Sequence, residues 1–148
     1  MSNRIDLPFE VTIQVRDACL CLHLQRASRA VARRFDAVLR PLGLTSGQFS
    51  LLMSLNRPQP PSLADVAAVL AMDRTTVTAN LKPLERRGLV EVTVDDADRR
   101  SRRLRLTPAG RALLAAAVPT WRDTHAAIEG GLGRSDPDQL RADLRALS

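Results

Sequence analysis

Residues Asp73–Gly110 read DRTTVTANLKPLERRGLVEVTVDDADRRSRRLRLTPAG, and the order of signals in them decides the fold. Asp73 is a strong N-cap residue, and Val77, Leu81 and Leu84 recur at the spacing of one helix face. At ~100° per residue the opposite face carries Thr75, Thr78, Ala79, Lys82 and Arg86, with Arg74 and Thr76 completing the first turn. Pro83 removes one backbone donor and is expected to bend the helix, and Gly88 supplies its stop. Val90, Val92 and Val94 alternate with polar residues, as Leu104 and Leu106 do with Arg103 and Arg105, which predicts two strands. Between them Asp95-Asp96-Ala97-Asp98 gives way to arginine: from Arg99 to Arg105 five of seven residues are Arg. Thr107-Pro108 then opens another helix. A polar helix followed by a hairpin with a cationic tip suits duplex DNA, the helix in a major groove and the hairpin in a neighbouring minor groove.

Upstream, residues 1–8 are polar and end in Pro8, which predicts a loose arm. A helical pattern runs from about Phe9 to Leu39, with Leu24, Ser28, Val31, Phe35, Val38 and Leu42 forming a stripe expected to be buried. Arg26, Arg29, Arg33, Arg34 and Arg40 occupy the remaining surface, and Pro41 and Gly43 end the helix. Thr45-Ser46-Gly47-Gln48 is a capping box opening a helix through Leu55. The proline-rich connector Asn56–Pro61 follows, and Ser62 caps a short helix from Leu63 to Ala71. Downstream of Pro108 lies a long Ala- and Leu-rich helix, expected to be interrupted by Pro119 and broken by Gly130, Gly131 and Gly133. Ser135-Asp136-Pro137 starts a last one. The predicted class is mainly α with a small β-hairpin.

Composition narrows the partners. At 148 residues the chain can build a core without disulfides or metals. Net charge is +6, carried mostly by Arg, the side chain that best forks onto phosphate and guanine. Tyr is absent and aromatics are 3%, which argues against a stacking surface for single strands or RNA. No stretch approaches the ~18 apolar residues of a membrane span and no signal sequence opens the chain, so the expected location is the cytoplasm.

Taken together, the long first helix, LRPLGLTSGQFSLL at Leu39–Leu52, DRTTVTANLKPLERRGLV at Asp73–Val90 and DRRSRRLRLTPAG at Asp98–Gly110 resemble MarR-type transcriptional regulators over nearly the whole chain. The resemblance implies one domain over 1–148. Residues 45–107 would form a winged helix-turn-helix lobe that binds double-stranded DNA, and 9–44 with 108–148 a helical dimerisation region. It further implies a homodimeric repressor released from a pseudo-palindromic operator by a small-molecule effector, bound where the dimer helices meet the lobe. The implied DNA contacts are Arg74, Thr75, Thr76, Thr78, Lys82, Arg86, Asp98, Arg99 and Arg100. Arg100 would enter the minor groove, with Asp98 holding its guanidinium.

Cys19 and Cys21 raise an alternative, a thiol-based redox-sensing repressor. Cys21 falls where the peroxide-sensing branch of the family has a reactive Cys in its first helix, but the positions of the Tyr partners are Gln25 and Phe35. Residues two apart on a helix point roughly 200° apart, so the two are not expected to bridge each other. Cys19 and His23 are one turn apart, too few for a zinc site, which needs three or four ligands. No phosphate loop, nucleophile elbow or paired-His motif is present. The expectation is a regulator with no cofactor, no metal and no catalytic site.

Overall fold

The structure, a computed structural model, describes residues 6–148. Positions 1–5 of the expected arm lie outside the described residues, and Asp6–Pro8 have no regular structure. The elements are α1 (Phe9–Ala18), α2 (Leu20–Leu39), a 3-10 turn (Arg40–Leu42), α3 (Ser46–Ser54) and α4 (Leu63–Leu70). After these come α5 (Arg74–Arg86), β1 (Val90–Val94), β2 (Arg102–Leu106), α6 (Pro108–Gly130) and α7 (Pro137–Ala146). No helix among the described residues is long and apolar enough to cross a membrane.

Two expectations about helix continuity need correction. The single helix expected over Phe9–Leu39 is two, because the backbone at Cys19 is extended (φ −70°, ψ 109°), ending α1 and capping α2. Val11, Thr12, Ile13 and Val15 are weak helix formers, and α1 buries no residue, so little holds it in line with α2. Pro119 does the reverse: α6 runs through it unbroken. A proline forfeits one backbone hydrogen bond, and α6 is held on either side of that loss by buried Leu114 and Ala117 and by half-buried Trp121. Likewise α5 is continuous through Pro83.

The helix starts are fixed by side chains. Thr45 Oγ1 accepts from the Gln48 amide at 3.1 Å while Gln48 Oε1 accepts from the Thr45 amide at 3.1 Å, the box the sequence predicts. Ser62 and Asp65 form a second one, at 3.1 and 3.0 Å. The end of α5 is a Schellman turn: the Leu89 amide donates to Leu84 O at 3.0 Å and Gly88 (φ +70°) to Glu85 O at 2.9 Å. At the end of α4 the same left-handed position is filled by Ala71 (φ +51°), which carries a Cβ where glycine would not. Left-handed backbone costs such a residue ~1–2 kcal/mol, against ~0.5–1 kcal/mol for glycine's extra chain freedom. Ala71→Gly should therefore raise the unfolding free energy by about 0.5–1 kcal/mol. A urea midpoint that stays put or falls would contradict this.

The core sits where α3, α4, α5 and the hairpin meet the lower ends of α2 and α6. Leu39, Leu52, Val66, Val77, Leu84, Leu104 and Ala117 are all fully buried there. β1 and β2 pair antiparallel with Val90 opposite Leu106 and Val92 opposite Leu104. The proline connector adds what the sequence did not suggest: Pro61 O accepts from the Leu104 amide at 3.0 Å, and Ser62 bridges Arg103, so β2 is bonded on both edges. α6 starts hard against the chain before β1. Thr107 accepts from the Gly110 amide at 3.0 Å and donates to Gly88 O at 2.6 Å. A Cβ on Gly110 would lie 2.1 Å from Leu89 O.

The α2 stripe is only half covered by its own chain. Leu39 is buried and Phe35 and Leu42 pack on the core, but Leu24, Val31 and Val38 remain 38%, 36% and 37% exposed. α1 and α7 bury nothing, and Phe9, Val15, Leu20, Leu144 and Leu147 stand in the open.

Candidate nucleic-acid interface

α5 is anchored at its start by Asp73, whose carboxylate accepts from the Thr76 amide at 2.7 Å; that bond holds the carboxyl below the usual range. Buried Val77, Leu81 and Leu84 fix its rotation, which leaves Arg74, Thr75, Thr76, Thr78, Lys82 and Arg86 exposed. Thr76 contributes its amide to the cap. Thr78 donates its hydroxyl to Arg74 O at 2.9 Å, so what it offers outward is a methyl group and acceptor lone pairs. Small and cationic side chains on one exposed face allow close approach to base edges and charge contact with phosphate.

The hairpin tip is a self-contained turn. Ser101 donates its amide to Asp98 O at 2.9 Å, and Asp98 Oδ1 accepts from the Arg100 amide at 3.0 Å. The expectation that Asp98 holds the Arg100 guanidinium is thus corrected: its carboxylate is turned to the nearer backbone amide, two residues on, which leaves the guanidinium free. Among the described residues, Arg99 and Arg100 have no carboxylate within 4.0 Å. Both are exposed.

Not all the arginines of the run belong to this surface. Arg103 is half-buried, donating to Asp95 Oδ2 at 2.6 Å and to Pro60 O at 3.3 Å. The Ala97 amide, and after it Arg103, hold the Asp95 carboxyl below its ordinary range. This pair braces the root of the hairpin. Alternation places Arg103 on a face but not beside Asp95, which lies eight residues earlier across the turn. Another arginine that sequence reasoning passed over is Arg87, which donates to Gly43 O at 2.8 Å and so ties the end of α5 to the end of α2. Asp36 on α2 accepts from the Ser46 amide at 2.6 Å, a second tie to the start of α3.

A groove of about 670 Å³ lies between α3, α4 and α6, floored by Phe49, Met53, Val69 and Trp121 with Arg57 and Arg122 at its margins. Phe49 and Trp121 are stacked with centroids 6.3 Å apart, and His125 stacks on Trp121 at 4.9 Å. Cys19, at the junction of α1 and α2, is half-buried; Cys21 on α2 is exposed, with the Gln25 amide 3.5 Å from Cys21 Sγ. His23 Nδ1 lies 2.8 Å from Cys19 O, engaged with backbone at the helix break.

Comparison with known proteins agrees with this geometry. A family model described as a winged helix DNA-binding domain matches residues 44–110. The HTH-type transcriptional repressor NicR of Pseudomonas putida is 31% identical, over 87% of this chain and 78% of its own. The Mycobacterium tuberculosis regulator MosR, solved in complex with DNA, superposes with a TM-score of 0.79 at 38% identity, covering 87% of this chain and 92% of that one. A MarR-family regulator from Rhodococcus sp. RHA1 has a TM-score of 0.73 at 26% identity over 84% and 88% of the two chains. These relatives regulate transcription and are not enzymes. Likeness in sequence and fold over most of each chain's length is the mark of common descent: the chain belongs to the MarR family of winged-helix, DNA-binding transcriptional repressors.

Proposed function

We propose that the protein is a homodimer that represses transcription from a pseudo-palindromic operator and is released by a small-molecule effector. The observation that carries this reading is the exposure of Thr75, Thr78, Lys82 and Arg86 on α5, together with the exposed, unpaired Arg99 and Arg100 of the hairpin tip. Residues 45–107 are the DNA-binding lobe, and 9–44 with 108–148 the dimerisation region. A second copy accounts for the many large apolar side chains left open on α1, α2 and α7, which a dimer interface would cover. Two recognition helices about 34–36 Å apart would then match half-sites one helical turn apart. The groove floored by Phe49 and Trp121 suits a flat apolar effector, because it borders α6 on one side and α3 and α4 on the other. BpsR of Bordetella bronchiseptica, 30% identical, has its DNA binding regulated by 6-hydroxynicotinic acid. An effector in this groove would act by favouring one orientation of the lobe.

The salt dependence of binding tests the interface. Removing Lys82 or Arg86 should weaken binding to all sequences alike and make the log–log salt slope shallower by about 1 per lost phosphate contact. A loss confined to one operator base pair would instead make that residue a base reader, and an unchanged slope would remove it from the interface.

One observation favours a second reading, in which the switch is a thiol. The extended backbone at Cys19 breaks the helical geometry that would hold Cys19 and Cys21 on opposing sides. Effector release without thiol chemistry requires that Cys21→Ser still leave DNA with its effector, and that stoichiometric hydroperoxide leave wild-type binding unchanged. Rapid peroxide-dependent loss of operator binding, absent in Cys19→Ser or Cys21→Ser, would assign the switch to the thiols.

A further inference from the structure

At the root of the hairpin, away from its tip, a cavity of about 220 Å³ is walled by the Leu55–Pro60 connector, β2 and the start of α6. Three guanidinium-bearing residues from distant parts of the sequence line it: Arg57, Arg105 and Arg111. Arg111 is oriented by donating to Asn56 Oδ1 at 3.0 Å, and the backbone of Arg57 is held in a turn in which its amide donates to Leu55 O at 2.9 Å. None of them is in an ion pair: among the described residues none of the three has a carboxylate within 4.0 Å, and Asp65 feels Arg57 only at longer range. The nearby Asp95 is already taken by Arg103, and Glu91, opposite Arg105 in the strand register, lines only the adjoining groove. The same corner holds the N-terminus of α6, a 23-residue helix whose dipole adds positive potential.

We propose that this cavity is an anion site for the phosphate group of a small phosphorylated molecule, separate from the operator-reading surface. Three forked cations and a helix end exceed what one carboxylate can compensate, whereas a phosphate brings close to two charges and several acceptor oxygens. The volume is below the ~300–1,000 Å³ of pockets that enclose a whole ligand. It therefore holds the phosphate end, and the rest of the molecule lies along the adjoining groove, lined by Leu106, Pro108, Ala112 and Ala115. DNA phosphate is the other source of this chemistry. Arg105 is three positions along β2 from Arg102, about 10 Å back from the tip at ~3.3 Å per residue, which favours the free ligand.

The test uses inorganic pyrophosphate on the whole protein, at ionic strength held constant with KCl, read by thermal shift and calorimetric titration. Pyrophosphate should give a saturable rise in melting temperature that chloride does not. Its affinity should fall at least about tenfold in Arg57→Gln/Arg111→Gln, and also in Arg105→Gln, a single surface change that guards against misfolding of the double variant. Lys82→Gln/Arg100→Gln, altered on the operator-reading face, should bind pyrophosphate as wild type does. Both arginine variants should keep the wild-type salt slope on operator duplex. The site is refuted by an absent shift, by a shift that survives both variants, or by loss of the shift in Lys82→Gln/Arg100→Gln. A shallower duplex salt slope in the cavity variants would refute it too, by giving the three arginines to the DNA backbone.

Discussion

Gly110→Ala should destabilise the fold by about 3 kcal/mol, near the upper end of what a single added methyl group costs a packed interior. The new Cβ would stand 2.1 Å from Leu89 O and 3.0 Å from Leu89 C, and both are backbone atoms that no side-chain rotation can move aside. Relief requires shifting the first turn of α6 away from the chain that leads into β1. That turn is tied in place: Thr107 donates its amide to Leu89 O at 3.1 Å and its hydroxyl to Gly88 O at 2.6 Å. The shift would also loosen Leu89, Val90 and Leu114, which are buried together. Urea denaturation followed by circular dichroism measures the effect. A midpoint within a few tenths of a kilocalorie of wild type would show that the approach is looser than 2.1 Å.

Arg100→Ala should weaken operator binding by about 1–3 kcal/mol, roughly ten- to a hundredfold, without changing the melting temperature. The guanidinium is exposed and has no carboxylate within 4.0 Å among the described residues, so its removal leaves no buried charge behind. Its backbone amide, which does structural work by donating to Asp98 Oδ1, survives the substitution. Asp98→Ala separates the two roles. It should unsettle the turn and so reduce affinity less than Arg100→Ala does, because the charge reaching for a narrow groove is retained. A gel-shift titration at fixed salt in which Arg100→Ala binds like wild type would take Arg100 out of the interface.

Much of the frame was legible because local patterns set it. The rotation of α5 follows from Val77, Leu81 and Leu84, and the strand register from alternating Val and Leu. The caps at Thr45, Ser62, Asp73 and Thr107 are each within three residues of what they bond. What escaped reading depends on residues far apart or on competition between neighbours. The break at Cys19 has no glycine or proline to announce it. The pairing of Pro61 O with Leu104 joins segments 43 residues apart, and a connector of three prolines has no strand period. At Asp98 the two-residue spacing was visible, but not that a backbone amide would win the carboxylate over a guanidinium. The meeting of Arg57, Arg105 and Arg111 had no sequence signal, since a connector, a strand and a helix separated by many residues contribute one arginine each.

The double-edged bonding of β2 has a consequence for how such a protein diversifies. What fastens the hairpin to the lobe lies at its root: Leu104 on Pro61 O, Arg103 on Pro60 O and bridged to Ser62, and Val90, Leu104 and Leu106 buried in the core. The stretch from Asp96 to Ser101 is bonded within the hairpin itself, by Ala97 to Asp95, Arg100 and Ser101 to Asp98, and Arg102 to the Arg99 carbonyl. Six residues can then be exchanged for those of another hairpin of equal length with the scaffold left as it is. On the proposed reading of the tip, groove preference is a replaceable cartridge, and new operators can be explored without renegotiating the core.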